Sequence, residues 1–305
     1  MVWRGGFLMG NFGLVTPDLP AAACWKRWPW IPQGWRYREG FAFAGRLSGY
    51  LGDQPVEGWG WAVPRIQARA AHRLWETLER EWAVRPVSVV GVEGLPVDRF
   101  KVPAQVGLSD GKALELLVFT GQFRNILRHY GINPQTAEIT VMWEEGNLGL
   151  ACSRLIAQHL RFLRLIHPDA GRLDHAAAVI MAETGISPKV QQVPPEQGRH
   201  IAMVIRCGTM KRYRAWNCPP NTLDWELFAG QSDWFRRLTG EGFFTVWGPS
   251  VSLPTSPVLG EVLIRAVAGW SLGHWVGCQL RLERIVQMKQ YLSQRRIAAL
   301  AERFA

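Results

Sequence analysis

Strand and helix signals alternate through the middle of the chain, and this alternation constrains the fold more than any other feature. The run from Glu138 to Trp143 is apolar and rich in β-branched residues, which is typical of a buried strand. A turn with Gly146 and Gly149 follows and opens a helix that we expect to reach Leu160. Such alternation with short connections favours a parallel sheet covered by helices, as in a Rossmann-type βαβαβ unit. The other predicted elements of this unit are strands at 162–166, 189–193 and 201–207 and a helix at 173–184 that Gly185 ends.

The flanking regions carry further element signals. Helical periodicity covers residues 64–82. Ser109 and Asp110 can cap a second helix over 112–130, which Gly131 can end. The remaining predicted elements are strands at 6–14, 40–44 and 87–92 and helices at 257–268 and 280–304.

The composition indicates a folded, globular chain. Of its 305 residues, 48% are hydrophobic and 20% are charged, which excludes a general description as disordered. No stretch approaches the roughly 20 uninterrupted apolar residues of a membrane helix, and the N-terminus lacks the apolar core of a signal peptide. We therefore expect a cytoplasmic protein without membrane association.

Several common kinds of site are missing from the sequence. The five cysteines are scattered without a C-x-x-C pair, and no H-E-x-x-H spacing occurs, so we predict neither a disulfide framework nor a metal site. No P-loop lysine motif occurs either. We expect neither a P-loop nucleotide hydrolase nor an α/β-hydrolase.

The chain is basic, with a formal net charge of +10. Its arginines are spread along the sequence without a Lys/Arg block, which favours a generic basic surface over a nucleic-acid site. Lys211, Arg212 and Arg214 follow the strand predicted at 201–207 and would project from the carboxyl edge of the sheet. They could hold a phosphate or carboxylate there, although a solvated basic loop is the favoured interpretation.

The turn after the first central strand decides whether a nucleotide can bind. In a dinucleotide site, three glycines allow the tight turn, the close approach of the pyrophosphate and the packing of the helix on the strand. Gly146 and Gly149 can serve as the second and third of these, but Trp143, Glu144 and Glu145 precede them where a diphosphate favours positive potential. Asp169 follows the second strand, where an acid is expected to bind a ribose or to cap a turn.

Three short motifs resemble stretches of the shikimate/quinate dehydrogenase-like proteins, in the same order over about two thirds of the chain. Val63-Pro64-Arg65-Ile66 is similar to their V-P-x-K stretch, Ser109-Asp110-Gly111 to their T-D-G stretch, and 144–153 to their nucleotide turn. The resemblance implies an α/β fold with an N-terminal α/β substrate domain at 1–110 and a Rossmann-like parallel-sheet domain at 111–256. It further implies C-terminal helices at 257–305 that bridge the domains and pack back on the first.

The same resemblance implies a cofactor and candidate site residues. The cofactor would be NAD or NADP, held at Gly146, Asn147, Leu148, Gly149 and Asp169.

Catalytic residues follow the family only in part. The catalytic lysine of the family would fall on Ile66, which cannot exchange a proton, and Arg65 beside it stays protonated. Asp110 matches the family's catalytic aspartate, although an N-cap role is equally natural there. Lys101 or Lys112 could replace the lysine, so the catalytic candidates are Asp110 and Lys112.

Two classes of function stay open beside a weaker third. The residues that replace the first glycine and the lysine favour a non-catalytic or regulatory binding protein on an inactivated dehydrogenase scaffold. The first alternative is an NAD(P)-dependent oxidoreductase of unknown small-molecule substrate, and the second is a nucleic-acid-binding protein that uses the basic surface. As partners we expect a small anionic ligand and further copies of the chain rather than nucleic acid or a membrane.

Overall fold

The chain forms two compact units in the computed structural model. The first unit comprises Met1–Leu114, Asp233–Val276 and Gln287–Ala301, and the second comprises Glu115–Ser232, Gly277–Val286 and Glu302–Ala305. Each unit is built on its own sheet. The structure describes residues 12–16, 42–51, 54–62, 71–85, 87–93, 106–195, 201–208, 210–213, 215–228, 246–248, 251–252, 256–270, 273–276 and 280–294.

Five parallel strands form the sheet of the second unit. Their order across the sheet is β10-β9-β6-β7-β8. Counted along this unit from β6, the order reads 3-2-1-4-5 from the β8 edge, which is the Rossmann order, and it reverses between β6 and β9. The strands are β6 (Glu138–Trp143), β7 (Phe162–Ile166), β8 (Lys189–Gln191), β9 (Ile201–Cys207) and β10 (Leu223–Leu227).

The strand pairing confirms the predicted βαβαβ unit. Ile139 lies opposite Leu163 and Met142 opposite Ile166, in parallel strands of one sheet. Every residue of β6 is buried, because the strand lies in the middle of the sheet and apolar residues cover it. The helices of this unit are α3 (Leu148–Ala157), α4 (Ala170–Thr184) and, from Glu115 onward, α2 (Lys112–His129).

A mixed sheet of seven strands forms the first unit, in the order β12-β11-β2-β3-β1-β4-β5. The strands β3, β1, β4 and β5 are parallel, and β2, β11 and β12 continue the sheet in antiparallel pairing. Its strands are β1 (Phe12–Thr16), β2 (Ala42–Leu51), β3 (Gln54–Ala62), β4 (Val89–Val92), β5 (Gly107–Ser109), β11 (Val246–Gly248) and β12 (Val251–Ser252). The other helices are α1 (Ala71–Val84), α5 (Pro257–Ala268) and α6 (Leu282–Gln294).

The first C-terminal helix, α5, packs on the sheet of the first unit, which confirms the predicted return of the chain. A Cβ on Gly91 of β4 would lie 2.6 Å from Val262 and 2.8 Å from Val258, so the helix sits directly on the strand. Ser256 caps α5 by accepting the Leu259 N–H, and Gly269 ends it in the left-handed conformation.

Several element limits differ from the predicted ones. Helix α4 begins at Ala170 rather than near 173, because Asp169 caps it. Helix α1 begins at Ala71 within the described residues. The long strand β3 and the strand β10 were not predicted, since Gly, Pro and Trp in these regions suggested loops.

Some predictions fall outside the described residues. They are the V-P-x-K-like stretch 63–66 with Ile66, the candidate Lys101, Arg214, and the helix ends beyond Gln294.

Candidate functional site

The carboxyl end of the second unit's sheet holds the candidate site, beside the point where the strand order reverses. The chain leaves β6 at Trp143 and enters α3 at Leu148. Gly146 has a φ of 69°, the left-handed conformation that this turn requires and that glycine adopts without strain. Gly146, which we expected as the second glycine of a nucleotide turn, therefore supplies the positive φ of this turn.

A cavity of about 350 Å³ lies between the turn after β6 and the turn after β7. This volume is at the small end of ligand pockets, which span roughly 300–1,000 Å³. Of the predicted cofactor residues, Gly146, Asn147 and Asp169 line the cavity, whereas Leu148 and Gly149 are buried in the first turn of α3. The full lining is Trp143, Gly146, Asn147, Leu150, Asp169, Gly171, Arg172 and His175.

Asp169 and Arg172 set the polar character of this cavity. The Asp169 carboxylate accepts the backbone N–H of Arg172 at 3.1 Å and so caps α4. The Arg172 guanidinium donates to the Gly146 carbonyl at 3.2 Å, which joins the two turns that form the cavity walls. His175 adds a second basic group one turn along α4. The cavity thus offers one carboxylate and two basic side chains.

Trp143 forms the apolar floor. Its side chain is 2% exposed and lies against His167, with ring centroids 4.9 Å apart. It also covers Gly149, where an added Cβ would lie 2.3 Å from the ring. The third glycine is needed here because the indole, rather than a nucleotide or the strand backbone, occupies the space above it.

His167 is held between this floor and the start of α4. Its Nδ1 accepts the Asp169 N–H at 3.0 Å, so the neutral ring carries its proton on Nε2. Burial lowers the pKa of His167 below its usual value, which keeps the ring neutral near neutral pH.

Glu144 points away from the cavity. Its carboxylate accepts three consecutive backbone N–H groups, from Lys211 at 2.9 Å, Arg212 at 2.7 Å and Tyr213 at 2.9 Å. Glu145 pairs with the Lys211 ammonium at 3.1 Å. Consecutive N–H groups form an anion-binding nest. The basic loop after β9 therefore binds a carboxylate in this structure, and that carboxylate belongs to the chain itself.

The same loop reaches across the sheet, and we call residues 210–213 with 215–216 the strap. The Tyr213 hydroxyl donates to the Gln192 carbonyl, and Trp216 Nε1 donates to the Pro195 carbonyl at 3.2 Å. Both acceptors lie after β8, whereas the strap begins after β9. The strap therefore crosses the carboxyl edge of the sheet between the end of β9 and the chain after β8, and none of its residues lines the cavity.

The predicted catalytic residues, Asp110 and Lys112, lie in the first unit and contact each other. Lys112 Nζ is 2.7 Å from Asp110 Oδ2, and the Lys112 N–H also donates to Asp110 at 3.3 Å. Asp110 therefore bonds to the first backbone N–H of α2, as expected of a capping residue, and also forms an ion pair that the sequence did not predict.

A buried network that the sequence did not indicate lies beside this pair. Glu261 of α5 accepts the Ser109 hydroxyl at 2.5 Å and the Leu114 N–H at 3.1 Å. Burial, and then the charge of Asp110, raise the pKa of Glu261 to about 7. Arg265 donates to the Ser109 hydroxyl at 3.1 Å and to the Gly273 carbonyl at 2.7 Å.

Sequence reasoning also missed Arg172 and His175. Their signal was present, because an arginine shortly after the second strand is the residue that accommodates a ribose phosphate in Rossmann sites. The described residues contain no group of three or more His, Cys, Asp or Glu side chains that could hold a metal ion. No helix in the described part of the chain has the length and apolar character needed to cross a membrane.

Comparison with known proteins gives distant structural likeness. No family model and no curated protein matches the chain. Among solved structures, the L-tryptophan dehydrogenase from Nostoc punctiforme is similar with a TM-score of 0.34 and 11% identity, over 98% of this chain and 81% of that one. The ligand-free 5-ketofructose reductase of Gluconobacter sp. strain CHM43 is similar with a TM-score of 0.34 and 10% identity, over 92% of this chain and 99% of that one. Likeness at this level assigns no family, and the α/β architecture with a Rossmann-ordered sheet stands on the strand topology alone.

Proposed function

We propose that this chain is a nucleotide-binding protein on a dehydrogenase-like scaffold and that its ligand enters the cavity between the turns after β6 and β7. One observation carries the proposal: the cavity opens at the carboxyl ends of the first two strands of a 3-2-1-4-5 sheet, with Asp169 and Arg172 in its wall. Open parallel sheets bind nucleotides at this place.

The chemistry of the lining matches the parts of a phosphorylated adenosine. Leu150 offers apolar surface to a base, beside the edge of the buried Trp143 ring. The second oxygen of Asp169 can accept a ribose hydroxyl, since the first accepts the Arg172 N–H. The guanidinium of Arg172 is suited to a phosphate, which it can bind through parallel N–H donors.

Calorimetric titration of the full chain tests this proposal. We expect binding of adenosine 2′,5′-bisphosphate, weakened about tenfold or more by Arg172→Ala, because a charge-assisted contact is worth about 1.5–3 kcal/mol. Arg128→Ala is the matched control, since Arg128 is an exposed arginine of α2 that contacts Asn125 and is not part of the cavity lining. Equal effects of the two substitutions, or no binding by any variant, would contradict the proposal.

A second candidate is an NAD(P)-dependent oxidoreductase, and the Asp110–Lys112 ion pair favours it. An ammonium beside a carboxylate can donate a proton to an alkoxide, which hydride transfer to a ketone requires. Oxidation of reduced nicotinamide with a panel of small keto acids, abolished by Lys112→Met and retained in Arg128→Ala, would support this candidate. Absence of turnover despite nucleotide binding would leave the non-catalytic function.

A further inference from the structure

We infer that the cavity takes a single phosphorylated nucleotide and that the strap, held by Glu144, excludes the second half of a dinucleotide. The inference rests on the proposed nucleotide binding and names its ligand class, an adenosine mononucleotide with a phosphate on the ribose.

The path of a second nucleotide follows from the sheet. In a Rossmann site, a dinucleotide lies across the crevice where the strand order reverses. In this unit the reversal lies between β6 and β9, so the second half of the ligand would extend from the turn after β6 toward the end of β9. That path begins beside Glu144.

The strap lies on this path. It leaves β9, meets Glu144 at the end of β6, and contacts Gln192 and the neighbouring Pro195 after β8. With neighbouring strands about 4.8 Å apart, three spacings separate β9 from β8, so the strap spans about 14 Å of the sheet edge. Tyr213 is 5% exposed and packs the strap against the protein, whereas Lys211 and Arg212 beside it are exposed.

Glu144 holds the strap in place. Three N–H groups converge on its two oxygens at 2.7–2.9 Å, which is the geometry of charge-assisted hydrogen bonds. The carboxylate also adds negative charge at the position where a diphosphate would continue. The strap and the negative charge of Glu144 both oppose the binding of a dinucleotide. Neither changes the cavity that contains Arg172.

The cavity that the strap leaves open has room for one nucleotide. The cavity of about 350 Å³ contains a single arginine, beside Asp169 and His175. The residues that bind the base, ribose and phosphate in our proposal all line this one cavity. No residue of the strap belongs to its lining.

The test compares two ligands that share the same half. Adenosine 2′,5′-bisphosphate and NADP⁺ both carry a 2′-phosphorylated adenosine, so the ratio of their affinities reports the space for the second half. By calorimetry we expect the wild-type chain to bind the bisphosphate at least about tenfold more tightly than NADP⁺. Glu144→Ala should reduce this ratio to near unity by raising the affinity for NADP⁺.

Two further variants keep the result interpretable. Glu183→Gln is the control for loss of a surface carboxylate, because Glu183 pairs with Arg154, which belongs to neither the strap nor the cavity lining, and it should leave the ratio unchanged. Tyr213→Phe removes the strap's bond to Gln192 and should lower the ratio even if Glu144→Ala does not fold. Tighter or equal binding of NADP⁺ by the wild-type chain, or an unchanged ratio in both Glu144→Ala and Tyr213→Phe, overturns the inference while nucleotide binding stands. Failure of every ligand to bind overturns the proposed function itself.

Discussion

The substitution Gly149→Ala tests the packing of Trp143, because it adds a single Cβ atom against the indole ring. A Cβ at this position would lie 2.3, 2.4 and 2.6 Å from three carbons of the Trp143 ring. Real Cβ atoms do not approach so closely, so the Gly149→Ala chain must move the indole or the helix. The indole is 2% exposed and rests on His167, which leaves little room for it to retreat.

The magnitude follows from two opposing effects. Overpacking of a rigid site costs about 1–3 kcal/mol, and the enclosed ring places Gly149→Ala at the upper end of that range. Replacing a helical glycine by alanine returns about 0.8–1 kcal/mol of helix propensity. We therefore expect a net loss of about 2 kcal/mol in the free energy of unfolding.

Urea denaturation followed by circular dichroism measures this loss as a fall of about 1 M in the midpoint. Gly121→Ala is the matched control, because Gly121 lies inside α2 with nothing within 4 Å of an added Cβ. That variant should gain about 0.8–1 kcal/mol. Adding Trp143→Leu to Gly149→Ala should recover part of the loss, with a coupling energy of about 1–3 kcal/mol. If Gly149→Ala is as stable as Gly121→Ala, the packing described for Trp143 is wrong.

Three further predictions concern charge. The pKa of Glu261 is raised from its ordinary value of 4.5 to about 7, so its stabilising contribution is present below pH 4.5 and is lost as the pH rises to about 7. We expect the free energy of unfolding to decline by about 3 kcal/mol over that interval. Glu261→Gln should remove this decline. The lowered pKa of His167 has the opposite sign: stability should fall as pH drops below about 6.5, because protonation breaks the bond from the Asp169 N–H, and His167→Gln should remove this dependence in thermal melts. Arg206 is 6% exposed and donates from Nε and Nη2 to the two carboxylate oxygens of Asp224, so Asp224→Asn should cost about 1–3 kcal/mol in urea titrations. A neutral result would mean that the pair contributes nothing to stability.

Local sequence was enough for the elements whose signals are local. The run 138–143 predicted β6 because apolar, β-branched residues of this kind are typical of a strand buried inside a sheet. Gly185 predicted the end of α4 because a glycine with positive φ ends a helix. The strand β3 was not predicted, because its local signal is that of a loop. Its alternating Gly and Trp residues resemble a loop until neighbouring strands cover them.

The candidate site was only half visible in the sequence. Gly146 and Asp169 were predicted from the order of strand, turn and helix alone, because a Rossmann site has a glycine in the first turn and an acid after the second strand. Arg172 was overlooked although its place shortly after the second strand is a signal. Its contact with the Gly146 carbonyl was not predictable, because it joins residues that are 26 positions apart. Long-range contacts of this kind leave no periodic signal.

The sequence by itself determined the alternation of strands and helices in the second unit and the small residues at its turn, because hydrophobic period and backbone freedom act within a few residues. Only the tertiary structure decided which groups the carboxylates of Glu144 and Glu261 contact. Glu144 reaches backbone groups 67 to 69 positions away, and Glu261 reaches Ser109 across 152. In the sequence alone, Glu144 beside the predicted nucleotide turn indicates repulsion of a phosphate. In the folded chain it accepts three backbone N–H groups, and the position of those donors depends on the order of strands in the sheet.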